Sequence, residues 1–432
     1  MVVGALGIAT ALALSACAAG GAGSTGPTIG TTAGKGKTIT VWAMNGDLTN
    51  NTLDAINAQF TKETGAKVKV QLQQWANITT KVTTALATST PPDVIDLGNT
   101  QVPGYAANGG LLDLTAYKSQ LEQGQTWLGG LVDPATIGGK LYAVPSFAGT
   151  RAVIYNKKMW SDAGITSTPT TYSELTADLD KVKAANTASD FSPFYLPGQY
   201  WYNGVQWVWD AGGNIATQNG KTWTAGFSSA AAQKGLNNFK TFQNKYSTVA
   251  SRTLNTITPD QDQLFADGKA GAVLGNGWEI GVIQKDNPAL VNADLGSFPF
   301  PGLSGKNQPV LLAGSDWGIA TKSTNKNLAL VWAKIAASPK IQNTYVFGKE
   351  GWIPNSTQGI TAAQKSGLPV LQKGFFEAAL SSKSTPAAAN WSTIEGDNSI
   401  TQFFSSIASG SSSVSDAAKS FDSHIESTLN AK

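Results

Sequence analysis

TITVWAMNGDLTNNTLDAINAQFTKETGAKVKVQLQQWANITTKVTTALATSTPPDVIDL, residues 38–97, switches repeatedly between two hydrophobic periods, and that switching decides the fold class. Thr38 to Ala43 (TITVWA) reads as a buried strand. From Asn50 to Glu63, Leu53, Ile56, Asn57 and Phe60 fall at helical spacing before Gly65 stops the helix. Lys67 to Gln73 (KVKVQLQ) alternates as a strand does, and Asn77 stands where it could cap a helix from Ile78 to Thr88. Pro91-Pro92 closes that helix before a third strand, Val94 to Leu97. Strands separated by helices predict an α/β lobe with a mainly parallel sheet flanked by helices.

The alternation resumes downstream, with a strand at Arg151 to Tyr155, a helix from Tyr172 to Ala185 and a Trp-rich segment from Tyr200 to Trp209. A helix from Ser228 to Lys245 and a strand at Ala270 to Leu274 follow. FPFPGLSG, Phe298 to Gly305, punctuates the chain before a strand and helix at Ser315 to Ala337. The final helices are expected at Ile360 to Leu380 and Ile400 to Leu429. At 432 residues the chain exceeds what one core usually organises, so two lobes are expected.

Apolar residues make up 41% of the chain and charged ones 14%, a globular balance. The 31 basic and 28 acidic residues are scattered and leave a net charge of +3, with no basic run to track a phosphate backbone, so nucleic acid is not an expected partner. The single cysteine, Cys17, and the single histidine, His424, exclude internal disulfides, Cys/His zinc sites and any histidine-dependent catalytic arrangement that does not use His424. His424 lies in a helical stretch, Phe421 to Leu429, and reads as an ordinary surface or partly packed residue. No cofactor and no metal are expected.

Residues 2–16 (VVGALGIATALALSA) are too short for the ~20 residues of a spanning helix and read as a signal-peptide core, giving a signal peptide over 1–16. The stretch ends in Leu14-Ser15-Ala16-Cys17, which resembles the lipobox of bacterial lipoproteins, where the cysteine thiol receives a diacylglycerol. The expected basic start is missing, since the first basic residue is Lys35, so the true start is expected a few residues upstream. Residues 17–37, nearly free of large apolar side chains, read as the lipidated cysteine and a flexible tether with a reach on the order of 25 Å. The mature protein is then anchored to the membrane rather than spanning it.

The order of elements resembles the family of extracellular solute-binding proteins that serve ABC sugar importers, the group that includes maltose-binding protein. The likeness is carried by ITVWAM, PPDVIDLGN, GGLLDLT, GGKLYAVP, TRAVIYNKKMWSDAG, TTYSEL, LFADGKAGAVLGNGW, FPFPGLSG, GSDWGIA, NLALVWAKI and GKEGWIPN, in the family's order over nearly all the mature chain. The resemblance implies a two-lobed periplasmic-binding-protein-like fold with a hinge, whose crossings fall near Phe147 to Arg151, Phe298 to Pro301 and Phe347 to Gly351. Lobe I would be 38–148 and 300–346, and lobe II 149–299 and 347–432. It also implies a monomer outside the cell, a ligand held in the cleft at the carboxyl ends of the strands, and importer permease subunits that recognise the closed form.

A sugar offers apolar C–H faces and a rim of hydroxyls, so its site needs aromatic plates and hydrogen-bonding groups. The thirteen tryptophans must therefore be sorted. Trp332, Trp160 and Trp42 read as core, and Trp207 and Trp209, two apart, would share a face of a strand, with packing favoured for at least one. Trp278, after Gly275-Asn276-Gly277, stands where the family's pattern often carries a sugar-stacking tryptophan. Trp201 and Tyr202 in a Gly/Asn-rich loop, Trp317, Trp352 and Trp75 are the other aromatic candidates. The family's loops add Asn45, Asp47, Asn99, Thr100, Arg151 and Asp316 as polar contacts. Asp47 could equally serve a turn, and Asn99 could start the helix after it.

Arg151, one of two arginines, carries a five-donor fork suited to hydroxyls and carboxylates alike, which leaves a mildly acidic sugar open. The expected function is capture of a neutral oligosaccharide without catalysis. Two alternatives stay open: the same fold binding a charged solute or peptide, and a secreted glycoside hydrolase using carboxylates such as Asp316 and Glu279 about 5 to 9.5 Å apart.

Overall fold

The computed structural model describes residues 27–30 and 34–431, together with Met1. The expected signal peptide and Cys17 lie outside the described residues. The strands are β1 (Thr38–Met44), β2 (Lys67–Gln73), β3 (Val94–Gly98), β4 (Ala143–Gly149), β5 (Arg151–Asn156), β6 (Ala272–Asn276), β7 (Leu295–Phe298), β8 (Ala313–Ile319) and β9 (Ile353–Pro354), with shorter two-stranded ribbons elsewhere. They form two principal sheets, one in the order β9-β4-β8-β3-β1-β2 and one in the order β6-β5-β7.

In the first sheet β1 runs parallel to β2 and β3, as the helical crossovers α1 (Asn50–Thr64) and α2 (Ile78–Ala87) require. α1 buries Leu53, Ile56 and Phe60 on the face read from the sequence and ends at Gly65, whose φ of 73° is the left-handed stop that glycine takes without strain. Asn77 precedes α2 in the left-handed region, with no side-chain cap, which corrects the expected capping role. Beyond β3, β8 and then β4 and β9 each run antiparallel to the neighbour before them. In the second sheet the central β5 runs against both β6 and β7, so the expectation of a mainly parallel sheet does not hold there. The reason is that β5 enters directly from the first sheet, with only Thr150 between β4 and β5, so a crossing rather than a βαβ unit sets its direction.

One core lies around the first sheet (Val41, Phe60, Ile95, Trp317, Trp332), a second around the helices of the other lobe, and a third, with Ala148, Ile154, Ile353 and Phe375, joins the two sheets. β9 pairs with β4, so the chain is still on the first sheet at Pro354 and the expected change of lobe at residue 347 comes later. The Trp-rich segment is neither loop nor strand but a helix, α3 (Trp201–Asp210). Two residues apart on a helix point to different sides, so Trp207 enters the Phe242–Phe300 cluster while Trp209 sits near Lys383. Gly204 in its middle is required by packing, because a Cβ there would lie 2.3 Å from Phe404 in α4 (Ser399–Ser409).

The expected helix 360–380 is two, Thr357–Lys365 and Lys373–Ala379, and the 400–429 stretch is α4 followed by α5 (Val414–Leu429). The tether reading also needs correction at its described end. Ile29 donates its N–H to Gln120 at 2.8 Å and packs on the first core, and Gly34 donates to the Thr64 carbonyl at 2.7 Å, so these residues lie on the folded body. Trp160 and Trp332 are core as expected, whereas Trp42 is half-buried beneath Lys81. His424 is a partly exposed residue paired with Asp397 at 2.8 Å. Among the described residues no helix is long and apolar enough to cross a membrane, and no group of His, Cys, Asp or Glu is placed to hold a metal ion.

Candidate functional site

The three parallel strands of the first sheet end side by side, and the turns after them build one face of a cleft. After β1 the chain turns at Asn45 and Asp47, with the Asp47 N–H donating to the Met44 carbonyl at 3.3 Å. The Asp47 carboxylate accepts the Trp75 indole N–H at 3.2 Å and the Ser315 hydroxyl at 2.7 Å, while its backbone carbonyl accepts the Trp352 indole N–H at 2.8 Å. One residue therefore ties down two tryptophans that arrive from distant parts of the chain. Trp75 lies over Gly98, where a side chain would sit 3.5 Å from its ring, and keeps 38% of its surface exposed. Trp352 is half-buried, 4.8 Å from the Phe147 ring. Asn45 is exposed and Thr100 partly so, both on this rim.

The opposite face is built on β5, β6 and α3. Arg151 donates through Nε to the Tyr200 hydroxyl at 2.7 Å, and its guanidinium lies 4.1 Å over the Tyr202 ring. Tyr202 in turn stacks on Trp201 at 4.0 Å. The arginine is buried, and its Nη1 has no hydrogen-bond partner among the described residues. At the end of β6, Trp278 begins the short helix Glu279–Asp286 with 59% of its surface exposed, an unusual exposure for the largest apolar side chain. Behind it Glu279 accepts the backbone and side-chain N–H groups of Asn276 at 2.9 and 2.8 Å and the Gln261 amide at 2.7 Å. Burial, with the Glu279 charge beside it, pushes the Asp262 carboxyl up to about 8.

Two recesses meet at Trp278 and Asn276. One holds Trp278 together with Trp352, Gln372 and Phe375, and the other holds it with Arg151, Tyr202 and Gln261. Trp278 and Trp352, on opposite sides of the crossing, thus line the same space.

Three candidates have no surface to offer a ligand in this structure. Trp317 is 1% exposed and meets Trp332 edge-on at 4.7 Å in the first core. Asn99 is buried and donates both amide hydrogens to the carbonyls of Gly130 and Leu312, each at 3.0 Å, so it latches chain segments together. Asp316 is 0% exposed beside a register shift between β8 and β4, where Ser146 of β4 is the unpaired residue, so its carboxyl is buried within the sheet. Trp201 is also nearly buried and contributes mainly by backing Tyr202. The hydrolase alternative fails on the same ground, since Asp316 does not reach the cleft and Glu279 is fully engaged by its amide partners. Sequence reasoning missed Tyr200, Asn276 and Gln261. Tyr200 adjoins Trp201, Asn276 lies two residues before Trp278, and Gln261 carried no local signal at all.

Comparison with known proteins agrees with this architecture. Residues 45–343 match the family described as bacterial extracellular solute-binding protein. The diacetylchitobiose binding protein DasA of Streptomyces coelicolor is 34% identical over 99% of this chain and 98% of its own length. The maltodextrin-binding protein MdxE of Bacillus subtilis is 22% identical over 72% of this chain and 71% of its own. Among solved structures, the sugar-binding protein MalE from Xanthomonas citri superposes with a TM-score of 0.79 at 20% identity, covering 91% of this chain and 97% of that one.

Proposed function

Because the chain belongs to the bacterial extracellular solute-binding proteins that serve ABC sugar importers, a family of binding proteins rather than enzymes, we propose that it captures a short neutral oligosaccharide between Trp278 and the Trp75–Trp352 pair. The observation that carries this reading is the shared recess of Trp278 and Trp352. Two indoles on opposite sides of the hinge suit the two C–H faces of pyranose rings. Arg151, clamped by Tyr200 and Tyr202, lines the adjoining recess with Trp278 and carries a buried Nη1 without a hydrogen-bond partner among the described residues, a donor that a sugar hydroxyl or an acetamido carbonyl reaching into that recess would satisfy. Diacetylchitobiose, the ligand for which the Streptomyces coelicolor relative is named, is the first candidate.

Ligand that touches both faces stabilises the closed lobes by its differential contacts, and the closed monomer delivers it to the permease subunits. Lipidation of Cys17 would hold the protein at the outer face of the cell membrane. The lobe assignment behind this is 38–148 with 300–354, against 149–299 with the remainder.

A thermal-shift screen of residues 27–432 against chito-, malto- and galacto-oligosaccharides, amino acids, short peptides and polyamines tests the proposal. Ligand at 100 times its Kd adds about 2.7 kcal/mol, a shift of a few degrees. A shift with one sugar group, at an affinity indifferent to salt, is the expected result. A shift only with charged solutes, weakening as salt rises, would replace the sugar reading.

A further inference from the structure

The recess that Trp278 shares with Arg151 and Gln261 has a volume of about 410 Å³, a size at which pockets take small molecules. Two of its lining residues carry polar atoms that the chain leaves open. Gln261 is 4% exposed, and its Nε2 donates to the Leu274 carbonyl at 3.3 Å and to Glu279 at 2.7 Å. Only the amide nitrogen can donate, so these bonds fix which way the amide is turned. The other branch, Oε1, is buried and has no hydrogen-bond partner among the described residues. Arg151, 8% exposed, offers the complement. Its Nε–H goes to Tyr200 and its guanidinium lies over the Tyr202 ring, which leaves Nη1 buried without an acceptor among the described residues. A buried acceptor and a buried donor left open each cost free energy, and a ligand group carrying both functions relieves both.

The chemistry of that group follows from what each class of substituent offers. A carboxylate only accepts and would leave Oε1 open, and it would also meet the carboxyls of Asp260, Asp262 and Glu279, which line the recess with Arg151 as the one cation. An ammonium only donates and would leave Nη1 open. A neutral amide does both. Its methyl, in an acetamido group, finds apolar surface on Ile257, Val282 and Trp278, of which Ile257 is 75% and Trp278 59% exposed. We propose that Gln261 and Arg151 make the cleft specific for an N-acetylated amino sugar: the acetamido N–H donates to Gln261 Oε1, the acetamido carbonyl accepts from Arg151 Nη1, and the methyl lies against the apolar wall. The inference rests on the sugar reading of the cleft and assigns its discrimination to these two side chains.

Diacetylchitobiose and cellobiose share one ring skeleton and linkage and differ only in that the acetamido groups of the first are hydroxyls in the second. Titration calorimetry on wild type, Gln261→Met and Arg151→Lys measures the ratio of the two affinities in each protein. Methionine keeps the length of glutamine without its amide, and lysine keeps the charge of arginine without its fixed fork. Both ligands meet the same preparation, so damage to the fold that weakens them alike cancels from the ratio. Wild type should prefer diacetylchitobiose at least a hundredfold, and each substitution should lower that preference at least tenfold. The deacetylated dimer, with ammonium groups in place of the amides, should bind no better than cellobiose. Equal affinities in wild type, a preference unchanged in either variant, or tighter binding of the deacetylated dimer would each overturn the inference and leave the sugar reading standing. Should one variant fail to fold, the other decides, and should both fail, the wild-type panel does. Binding of charged solutes alone, with no sugar bound, would overturn the inference and the proposed function together.

Discussion

Replacing Trp278 by alanine separates binding from folding more cleanly than any other change in the cleft. The indole is 59% exposed, so the folded protein gains little from it, and its loss should change stability by no more than about 0.5 kcal/mol. Binding is another matter. A whole tryptophan can bury ~250 Å², so roughly 150 Å² of this one is open, and a sugar ring lying on one face covers about half of that, ~75 Å². At ~25 cal/mol per Å² the lost contact amounts to about 2 kcal/mol, a weakening of roughly 30-fold in Kd. Isothermal titration with the oligosaccharide found by screening, beside a thermal melt of the same preparation, reads both numbers. Unchanged affinity in Trp278→Ala would refute the argument, because an exposed indole that gains nothing from the ligand has no part in the site. A large fall in melting temperature would refute it differently, by showing that the side chain serves the fold.

Trp317→Ala should show the opposite pattern: a fully buried ring packed on Trp332 leaves a large cavity, and a loss of about 3–5 kcal/mol in urea unfolding is expected. Gly204→Ala forces a methyl to within 2.3 Å of Phe404 in the middle of α3, so overpacking should cost ~1–3 kcal/mol despite alanine's better helix propensity, and a stabilised variant in the melt would refute the packing argument. Stability should also depend on pH with a definite sign. Asp96 and Asp316 are raised well above the usual carboxylate range by burial, Asp262 to about 8 and Glu395 to about 6, so the folded state holds protons that the unfolded state has released. The unfolding free energy, and with it the melting temperature, should therefore be highest on the acid side of neutrality and fall as pH rises toward 8, the free energy by up to ~1.4 kcal/mol per pH unit for each titrating group. A curve that rises over that range would contradict the burial of these acids.

The first sheet was legible because its helices and strands are local events: Gly65, Pro91-Pro92 and the period of Leu53, Ile56 and Phe60 act within a few residues. What was not legible depends on partners far along the chain. The segment 200–210 reads as loop or strand because Gly204 and its aromatic residues are poor helix formers, and only Phe404, two hundred positions later, shows why the glycine is tolerated. The direction of β5 follows from where it enters the second sheet, which no periodicity records. In the cleft, the tryptophans after strand ends were visible as candidates, but GSDWGIA could not reveal that both Asp316 and Trp317 are buried. Alternation gives the faces of a strand, not which of them the cleft occupies.

The two faces of the cleft solve the same problem by different means. On lobe I the indole N–H groups of Trp75 and Trp352 are held by the Asp47 carboxylate and its backbone carbonyl. On lobe II the arginine fork is fixed by tyrosines, and its charge is offset by Glu279 nearby. Both arrangements leave aromatic surface open, which on the proposed function suits a ligand with apolar faces. Each plate alone would bind without changing the balance between open and closed lobes, because a ligand with equal affinity for both states shifts nothing. Closure needs contacts that exist only when the faces meet, and a space lined by both Trp278 and Trp352 lies at the crossing where the chain passes from β4 to β5. On the proposed function the crossing and the binding surface share the same few residues, so the free energy of stacking would act directly on the lobe angle without passing through any intermediate element.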